Sequence, residues 1–484
     1  MRITYDLAVI GTGPAGQKAA INAAKMGKRV IAVERDPSVG GTCILRGTIP
    51  SKAMREAVMH LTGYRMRGVY GASYLVKEGI TMADLIYRCD HVVRREIDVI
   101  KAQMRRNDVH VSLGDAHFTG PHTLRVESGL GTEEITAANI LVATGTGPAR
   151  PASIPFEPGR VIDSDGILEL RSIPKSMIIV GGGVIGTEYA CTMAVLGVHV
   201  TLIDQRPRLL EFVDAEISEA LQYHIRQLGV RLRLGEAVAE VATDRRSVSA
   251  VLESGKRLRA ETLLYAVGRQ GATGSLNLEA AGLTADKRGR LQVDEELRTA
   301  VPHIFAAGDV IGFPALASTS AEQGRLASGN AFGLHRAVRP GLMPYGIYTV
   351  PEISMVGPNE ASLTEALVPY EVGIARYREI ARGQLLGDES GMLKLLFHQD
   401  TRALLGVHAI GEGATELVHI GQAVIALGGP IDYFVDTVFN YPTLAECYKV
   451  AALDGINRCV VSHKTKRAAS GKKRKRGVRL RRAA

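Results

Sequence analysis

The dominant pattern is a short apolar run that stops at a glycine-rich turn, continues as a helical stretch of small apolar residues, and returns as a second apolar run. It occurs first in YDLAVIGTGPAGQKAAINAAKMGKRVIAVE, residues 5–34. Runs this short, bounded by glycines, predict buried strands, and the Ala-rich stretch between them predicts a helix. The same order recurs in SMIIVGGGVIGTEYACTMAVLGVHVTLID, residues 176–204. Two further apolar runs end in small turns, ILVATGTGP at 140–148 and LLYAVGR at 263–269. HIFAAGDVIG places Gly308 and Asp309 after another short run. Residues 54–110 carry the apolar spacing of helices, with a break near 64–80. SIPFEPGRVIDSDG (153–166) and SVSAVLESG (247–255) read as surface connections.

The turns carry the first chemistry. Gly11-x-Gly13-x-x-Gly16 sits between a strand and a helix, and the next strand ends in Glu34. Glycines so spaced permit a tight turn and a close backbone approach to a pyrophosphate, which the positive end of the helix favours. An acid at the end of the second strand can accept hydrogen bonds from a ribose diol. Gly181-x-Gly183-x-x-Gly186 repeats the arrangement and Asp204 ends its second strand, each acid lying 23 residues after the first glycine of its motif. One such motif is weak; two in matching context predict a chain that binds two dinucleotides. Asp309, beside a glycine at a strand end, is placed to hold a ribityl hydroxyl of a flavin.

In this order the elements resemble the pyridine nucleotide-disulfide oxidoreductases, flavoproteins with two dinucleotide folds. The resemblance covers nearly all of residues 5–461 and continues through YTVPEISMVG (348–357), GVHAIGEGATELVHIGQAV (406–424) and FNYPTLAECYKVAA (439–452). It implies an α/β architecture: two Rossmann-like domains for FAD and NAD(P), followed by an α+β C-terminal dimerisation domain. The expected boundaries are 1–150 and 270–345 for the FAD domain, 151–269 for the NAD(P) domain and 346–461 for the interface domain. Gly11, Gly13, Gly16, Glu34, Thr42 and Asp309 would hold FAD, and Gly181, Gly183, Gly186, Asp204 and Gly268 the nicotinamide nucleotide. Arg35, Gly41, Cys43, Lys52, Ala116, Thr144, Gly145, Glu188, Arg206 and Gly308 complete the implied cofactor-binding set. Lys52 and Glu188 match a catalytic pair in which the lysine lies near flavin N5 and the glutamate holds the lysine.

The chain departs from the family where thiol chemistry would occur. GGTCILRGTIPSK (40–52) has Cys43 but Thr48 in place of the second cysteine, and Tyr441-Pro442-Thr443 stands where a His-Pro-Thr triplet is required, with Glu446 retained. Thiol–disulfide exchange needs a thiolate and a base to form it. Neither is available, which disfavours dihydrolipoamide and glutathione reduction. Cys43 matches the outer thiol, although a small buried residue after a glycine pair is the plainer reading. The resemblance then implies that hydride passes between NADPH and NAD+ through the bound flavin, both nucleotides serving as substrates at one site. An NAD(P)H-dependent quinone or dye reductase is the alternative. Asp204 suits NAD, while Arg206 and Arg208 in IDQRPRLL can neutralise the 2′-phosphate of NADP, so preference stays open.

Composition adds limits. With 46% hydrophobic and 23% charged residues the chain is an ordinary globular protein, and no apolar run is long enough to span a bilayer. The early strand at 5–10 leaves no room for a secretory signal. Five scattered cysteines fit a reducing cytoplasm and argue against a cysteine-based metal site; no metal is expected. The net charge of +9 is concentrated at one end, because residues 462–484 hold 11 Lys and Arg and no acid. That segment is expected to be disordered, either a solvated extension or a tether to nucleic acid or another polyanion. A homodimer or larger homo-oligomer is expected, with no membrane contact.

Overall fold

The parallel strands Tyr5–Ile10, Val30–Glu34, His110–Leu113 and Ile304–Ala306, with the second half of Gly131–Val142, form the centre of the first sheet. The first half of Gly131–Val142 turns away and pairs antiparallel with Thr123–Ser128, which pairs in turn with Asp115–Gly120. The computed structural model describes residues 4–336 and 343–459. They form two compact units, one built from residues 4–62, 75–207 and 230–336, the other from 63–74, 208–229 and 343–459. The basic segment 462–484 lies outside the described residues.

In the first unit, the Ala-rich helix Pro14–Lys25 buries Ala15, Ala19, Ala20 and Ala23. Small side chains on that face let the helix Ala317–Asn330 come so close that a Cβ on Gly324 would lie 2.0 Å from the Ala15 carbonyl oxygen. Leu7, Val9, Val30, Leu141 and Phe305 pack on this side of the sheet, and Ile10, Ile31, Val33, Phe118 and Val142 on the other. A second parallel sheet has the order Arg231–Leu234, His199–Asp204, Ser176–Val180, Thr262–Tyr265, Val161–Ile162. Its helix Val184–Val195 is apolar on nearly every side and is buried accordingly.

Chain passage between the two sheets runs through a two-stranded antiparallel ribbon, Thr146–Pro148 outward and Arg269–Gly271 on return, with Gly271 opposite Thr146. Two expectations need correction. Within 247–255, Val248–Leu252 is the central strand of a three-stranded antiparallel sheet, with Val248, Ala250 and Leu252 buried on one face. Within 153–166, Val161–Ile162 is a buried edge strand and the Asp163 side chain is buried. Alternation among serines, and a two-residue strand, are too faint to read as strands. The helical reading of 54–110 fits: Thr48–Leu61 gives way to short turns over 64–70, and Met82–Arg106 begins at a capping box between Thr81 and Asp84.

The second unit centres on an antiparallel sheet ordered Tyr345–Ile347, Ile353–Val356, Leu404–Ile410, Met392–His398, Tyr370–Arg376. Phe397, Val407, Leu417, Phe434 and Tyr448 fill its core. The buried Tyr448 hydroxyl donates to the Leu417 carbonyl at 2.8 Å and accepts from the Gly421 amide at 3.0 Å. Lys394 is buried in the sheet, and its ammonium meets Asp214 at 2.9 Å, Glu216 at 3.2 Å and Glu360. No described helix is long and apolar enough to cross a membrane.

Candidate active site

Gly11 sits at φ +100°, and a Cβ there would lie 2.5 Å from the Ala143 carbonyl oxygen. A Cβ on Gly16 would lie 1.9 Å from the Gly11 oxygen, and one on Gly41 2.8 Å from Gly13 Cα. Only glycine fits at such separations. Thus Gly11, Gly13, Gly16 and Gly41 meet at the start of one helix, the Gly40–Gly41 turn closing over it. The Thr12 amide and hydroxyl donate to Glu34 Oε2 at 3.0 and 2.5 Å, and the Asp36 amide donates to Oε1 at 3.0 Å. Glu34 is thereby held at the strand end. Thr144 places its hydroxyl in the interior with no hydrogen-bond partner among the described residues, an unmet polar group beside the glycine cradle. Gly145 follows it with a positive φ.

Asp309 accepts from Ser320 Oγ at 3.2 Å and from Thr146 Oγ1 at 3.3 Å, and the Gly308 amide is held by Gln323 Oε1 at 2.9 Å. Thr42 opens the short helix Gly41–Leu45. Arg35 directly follows Glu34, and Ala116 follows the Asp115 with which Arg35 pairs. Arg35 is half exposed and bonds Ser275 and Asp115, and Ala116 is packed in the sheet core.

The second fold repeats this geometry. A Cβ on Gly181 would lie 2.7 Å from the Ala266 oxygen and one on Gly186 1.9 Å from the Gly181 oxygen. The Gly182 amide donates to Asp204 Oδ2 at 2.5 Å and the Arg206 amide to Oδ1 at 2.8 Å. These positions match those of Thr12 and Asp36 around Glu34. Gly183 begins the helix, and Gly268 follows the strand Thr262–Tyr265 in the place that Gly145 holds in the first fold. One difference stands out chemically. The Arg206 guanidinium pairs with Asp204 through Nε at 2.8 Å and Nη2 at 2.7 Å. Burial raises the Asp204 carboxyl, but Arg206 and the two amides outweigh it and hold it below the usual range. Arg208 donates to the Glu211 carbonyl.

The helices Thr48–Leu61 and Val184–Val195 bring Lys52 and Glu188 to 2.7 Å, with side chains 24% and 10% exposed. The pair is shielded yet reachable. Burial pushes the Cys43 thiol up, and neither the Thr48 side chain nor the Lys52 charge offsets this. A thiol so placed stays protonated at neutral pH. All five cysteines are free. Tyr441 is 74% exposed, and Glu446 keeps one carboxylate oxygen buried with no partner among the described residues. Sequence reading passed over Thr12, Thr146, Arg269 and Ser320. Single hydroxyl residues are too common to single out, and the tertiary fold alone brings Thr12 to Glu34, Thr146 and Ser320 to Asp309, and Arg269 to Thr146.

The family model for the pyridine nucleotide-disulphide oxidoreductases matches residues 5–324, and that for their dimerisation domain matches 343–452. A curated relative from Mycobacterium tuberculosis (strain ATCC 25177 / H37Ra), named soluble pyridine nucleotide transhydrogenase, is 53% identical over 94% of this chain and 97% of its own. A protein of the same name from Colwellia psychrerythraea is 46% identical over 94% of this chain and 98% of its own. Among solved structures, the HOCl-induced flavoprotein disulfide reductase RclA from Escherichia coli superposes with a TM-score of 0.84 at 29% identity, over 93% of this chain and 99% of that one. LpdA from Mycobacterium tuberculosis gives 0.86 at 26%, over 92% and 99%. Two matched folds, the spacing of their acids and these likenesses lead to one conclusion: the chain belongs to the pyridine nucleotide-disulphide oxidoreductase family.

Proposed function

We propose that this chain is a flavoprotein that transfers hydride between NADPH and NAD+ without a redox-active disulfide. The observation that carries the reading is Thr48 in the place of a second cysteine, with the Cys43 thiol pushed up by burial, in a chain that has two glycine cradles. The glycine cradle, the unmet Thr144 hydroxyl and the two-hydroxyl grip on Asp309 fit FAD in the first fold. When bound, FAD supplies a ring that takes up and gives back two electrons as hydride. The remaining work is positioning. Lys52, held by Glu188, presents a positive charge to the reacting end, and the Gly181–Gly186 cradle orients a nicotinamide nucleotide. No acid–base group is required, so a tyrosine at 441 is compatible with turnover. The relatives named soluble pyridine nucleotide transhydrogenase support the same reading.

Further parts of the proposal concern assembly and location. The match to a dimerisation domain supports a homodimer, and cysteine usage supports a cytoplasmic enzyme. For residues 462–484, salt-sensitive binding to heparin that is lost on truncation after Val461 is expected if the segment is a polyanion tether. The deciding assay supplies NADPH with a thio-analogue of NAD+, and in parallel NADPH with a quinone. Rapid reduction of the analogue is expected. Quinone turnover with no exchange between nucleotides would replace this reading by a quinone reductase.

A further inference from the structure

The ribbon through which the chain leaves the first fold and returns from the second also joins the exit turns of the two folds. Its pairing sets Arg269 opposite Pro148 and Gly271 opposite Thr146, extended by the Ala272 amide to the Gly145 carbonyl at 3.0 Å. Arg269, next to Gly268, crosses to Thr146: its Nε donates to the threonine Oγ1 at 2.7 Å and its Nη2 to the threonine carbonyl at 2.6 Å. With an acceptor site of that hydroxyl taken by the guanidinium, its proton is directed onward to Asp309 Oδ2 at 3.3 Å. Ser320 supplies the other carboxylate oxygen at 3.2 Å. An unbroken path therefore runs from the exit turn of the second fold to the acid of the first.

Asp165 and Arg46 complete the surroundings. Burial pushes the Asp165 carboxyl up, while the charges of Arg269 and Arg46 oppose that. Arg46 is itself paired with Asp36 at 2.9 and 2.5 Å, two residues beyond Glu34. Arg269 thus sits in a lattice of alternating charge. Hydride exchange as described makes no use of it.

The geometry points to Arg269 as a positioning residue that acts through Thr146 on the Asp309 carboxylate, coupling occupancy of the nicotinamide-nucleotide site to the grip on FAD. This rests on the reading that the first fold holds FAD and the second a nicotinamide nucleotide. The coupling is reciprocal: whatever factor NAD+ adds to FAD affinity, FAD must add to NAD+ affinity. Thr146 is the link that a single methyl can cut. Valine has the shape of threonine and keeps the ribbon's backbone bonds, yet it can neither accept from Arg269 nor donate to Asp309.

The test measures FAD dissociation from the full chain by recovery of flavin fluorescence, with and without saturating NAD+. Variants are Thr146→Val, Thr146→Ser and Arg269→Met. Wild type is expected to release FAD more slowly when NAD+ is bound. Thr146→Val is expected to weaken FAD about ten-fold, the size of one hydrogen bond to a charged group, and to abolish the NAD+ effect. Thr146→Ser should restore both, and Arg269→Met should abolish the NAD+ effect. Equal melting temperatures of the FAD-free proteins separate the relay from a folding defect. If Thr146→Val keeps wild-type FAD affinity and a full NAD+ response, the relay is wrong. Should that variant not accumulate, Arg269→Met decides, and a retained NAD+ effect overturns the coupling. A wild type that binds no FAD defeats the underlying cofactor reading, whereas one that holds FAD but ignores NAD+ defeats the coupling alone.

Discussion

Arg206 grips the Asp204 carboxylate with two parallel hydrogen bonds, Nε to Oδ1 at 2.8 Å and Nη2 to Oδ2 at 2.7 Å. The matching acid of the first fold, Glu34, is instead held by the Thr12 hydroxyl and amide and by the Asp36 amide. The second fold thereby carries a carboxylate and a guanidinium side by side at its strand end. A bare acid there would repel the 2′-phosphate of NADPH, and a bare arginine would have no partner with NADH. The pair suits the proposed site, which would admit both in turn.

Nucleotide choice should follow from that pair. Arg206→Ala is expected to raise KM for NADPH about ten- to a hundred-fold more than KM for NADH, the range of a lost charged hydrogen bond. Asp204→Asn should act in the opposite sense, weakening NADH more. Initial rates with each donor and a common acceptor measure both. Equal shifts for the two donors would make the arginine a surface charge with no part in recognition.

Lys52 and Glu188 offer a separate check. Lys52→Met is expected to lower kcat about a hundred-fold, the scale of one preorganised electrostatic contact, while FAD stays bound. Glu188→Gln keeps a hydrogen-bond acceptor for the ammonium and should cost less. The ratio of flavin to protein absorbance, read beside kcat, separates loss of catalysis from loss of cofactor. A Lys52→Met enzyme with full kcat would remove the lysine from the reaction.

Much of this site was legible in the sequence because the constraint is local. At Gly11, Gly16, Gly181 and Gly186 the backbone itself blocks any Cβ, so residue identity at a fixed spacing reports the geometry. The ribbon was not legible: TGP and RQG are three-residue strands with no period to read. The strand Val248–Leu252 hid its alternation among serines. Lys394 was also invisible in its role, since Asp214 lies 180 positions away and only the folded sheet brings them together. Tertiary pairing of polar side chains leaves no mark in a single chain's pattern.

Electron capacity tests the consequence of Thr48. With Thr48 where a second cysteine would stand, two electrons per subunit should fill the protein. Anaerobic dithionite titration should bleach the flavin at one two-electron equivalent, with no long-wavelength thiolate–flavin band on the way. Oxidised lipoamide and glutathione should be inert. A second equivalent taken up before full bleaching would mean that another redox group exists.

The charge hub of the second unit makes the last prediction, on stability against pH. Lys394 and Asp214 side chains are each 1% exposed, and His408, buried opposite Lys394 in the sheet, has an Nδ1 with no partner among the described residues. Burial lowers Lys394 toward neutrality, but Glu360 and Asp214 outweigh it and the ammonium is held above its ordinary range. Burial raises Asp214, yet His408, Lys394 and the Glu216 amide bring it below the usual carboxylate range. Burial pushes His408 down, against the pull of Asp214. The signs then follow. Asp214 stabilises fully above an ordinary aspartate pKa of about 3.9 and less as pH falls through its folded value. His408 withdraws stability as pH falls below about 6.5, where the unfolded chain takes a proton that the folded one refuses. Lys394 stabilises below about 10.4 and ceases to as pH rises through its folded value. Thermal unfolding of wild type should therefore show a plateau between about pH 6.5 and 10. Lys394→Met leaves the buried Asp214 without its cation and should cost about 3–5 kcal/mol at neutral pH. The gap should narrow below about pH 4, where that carboxyl can take a proton. Glu216 and Glu360, more exposed than Asp214, should give smaller losses when changed to Gln. A gap that does not narrow as pH falls from neutral to about 3 would show that Lys394 is held by packing alone.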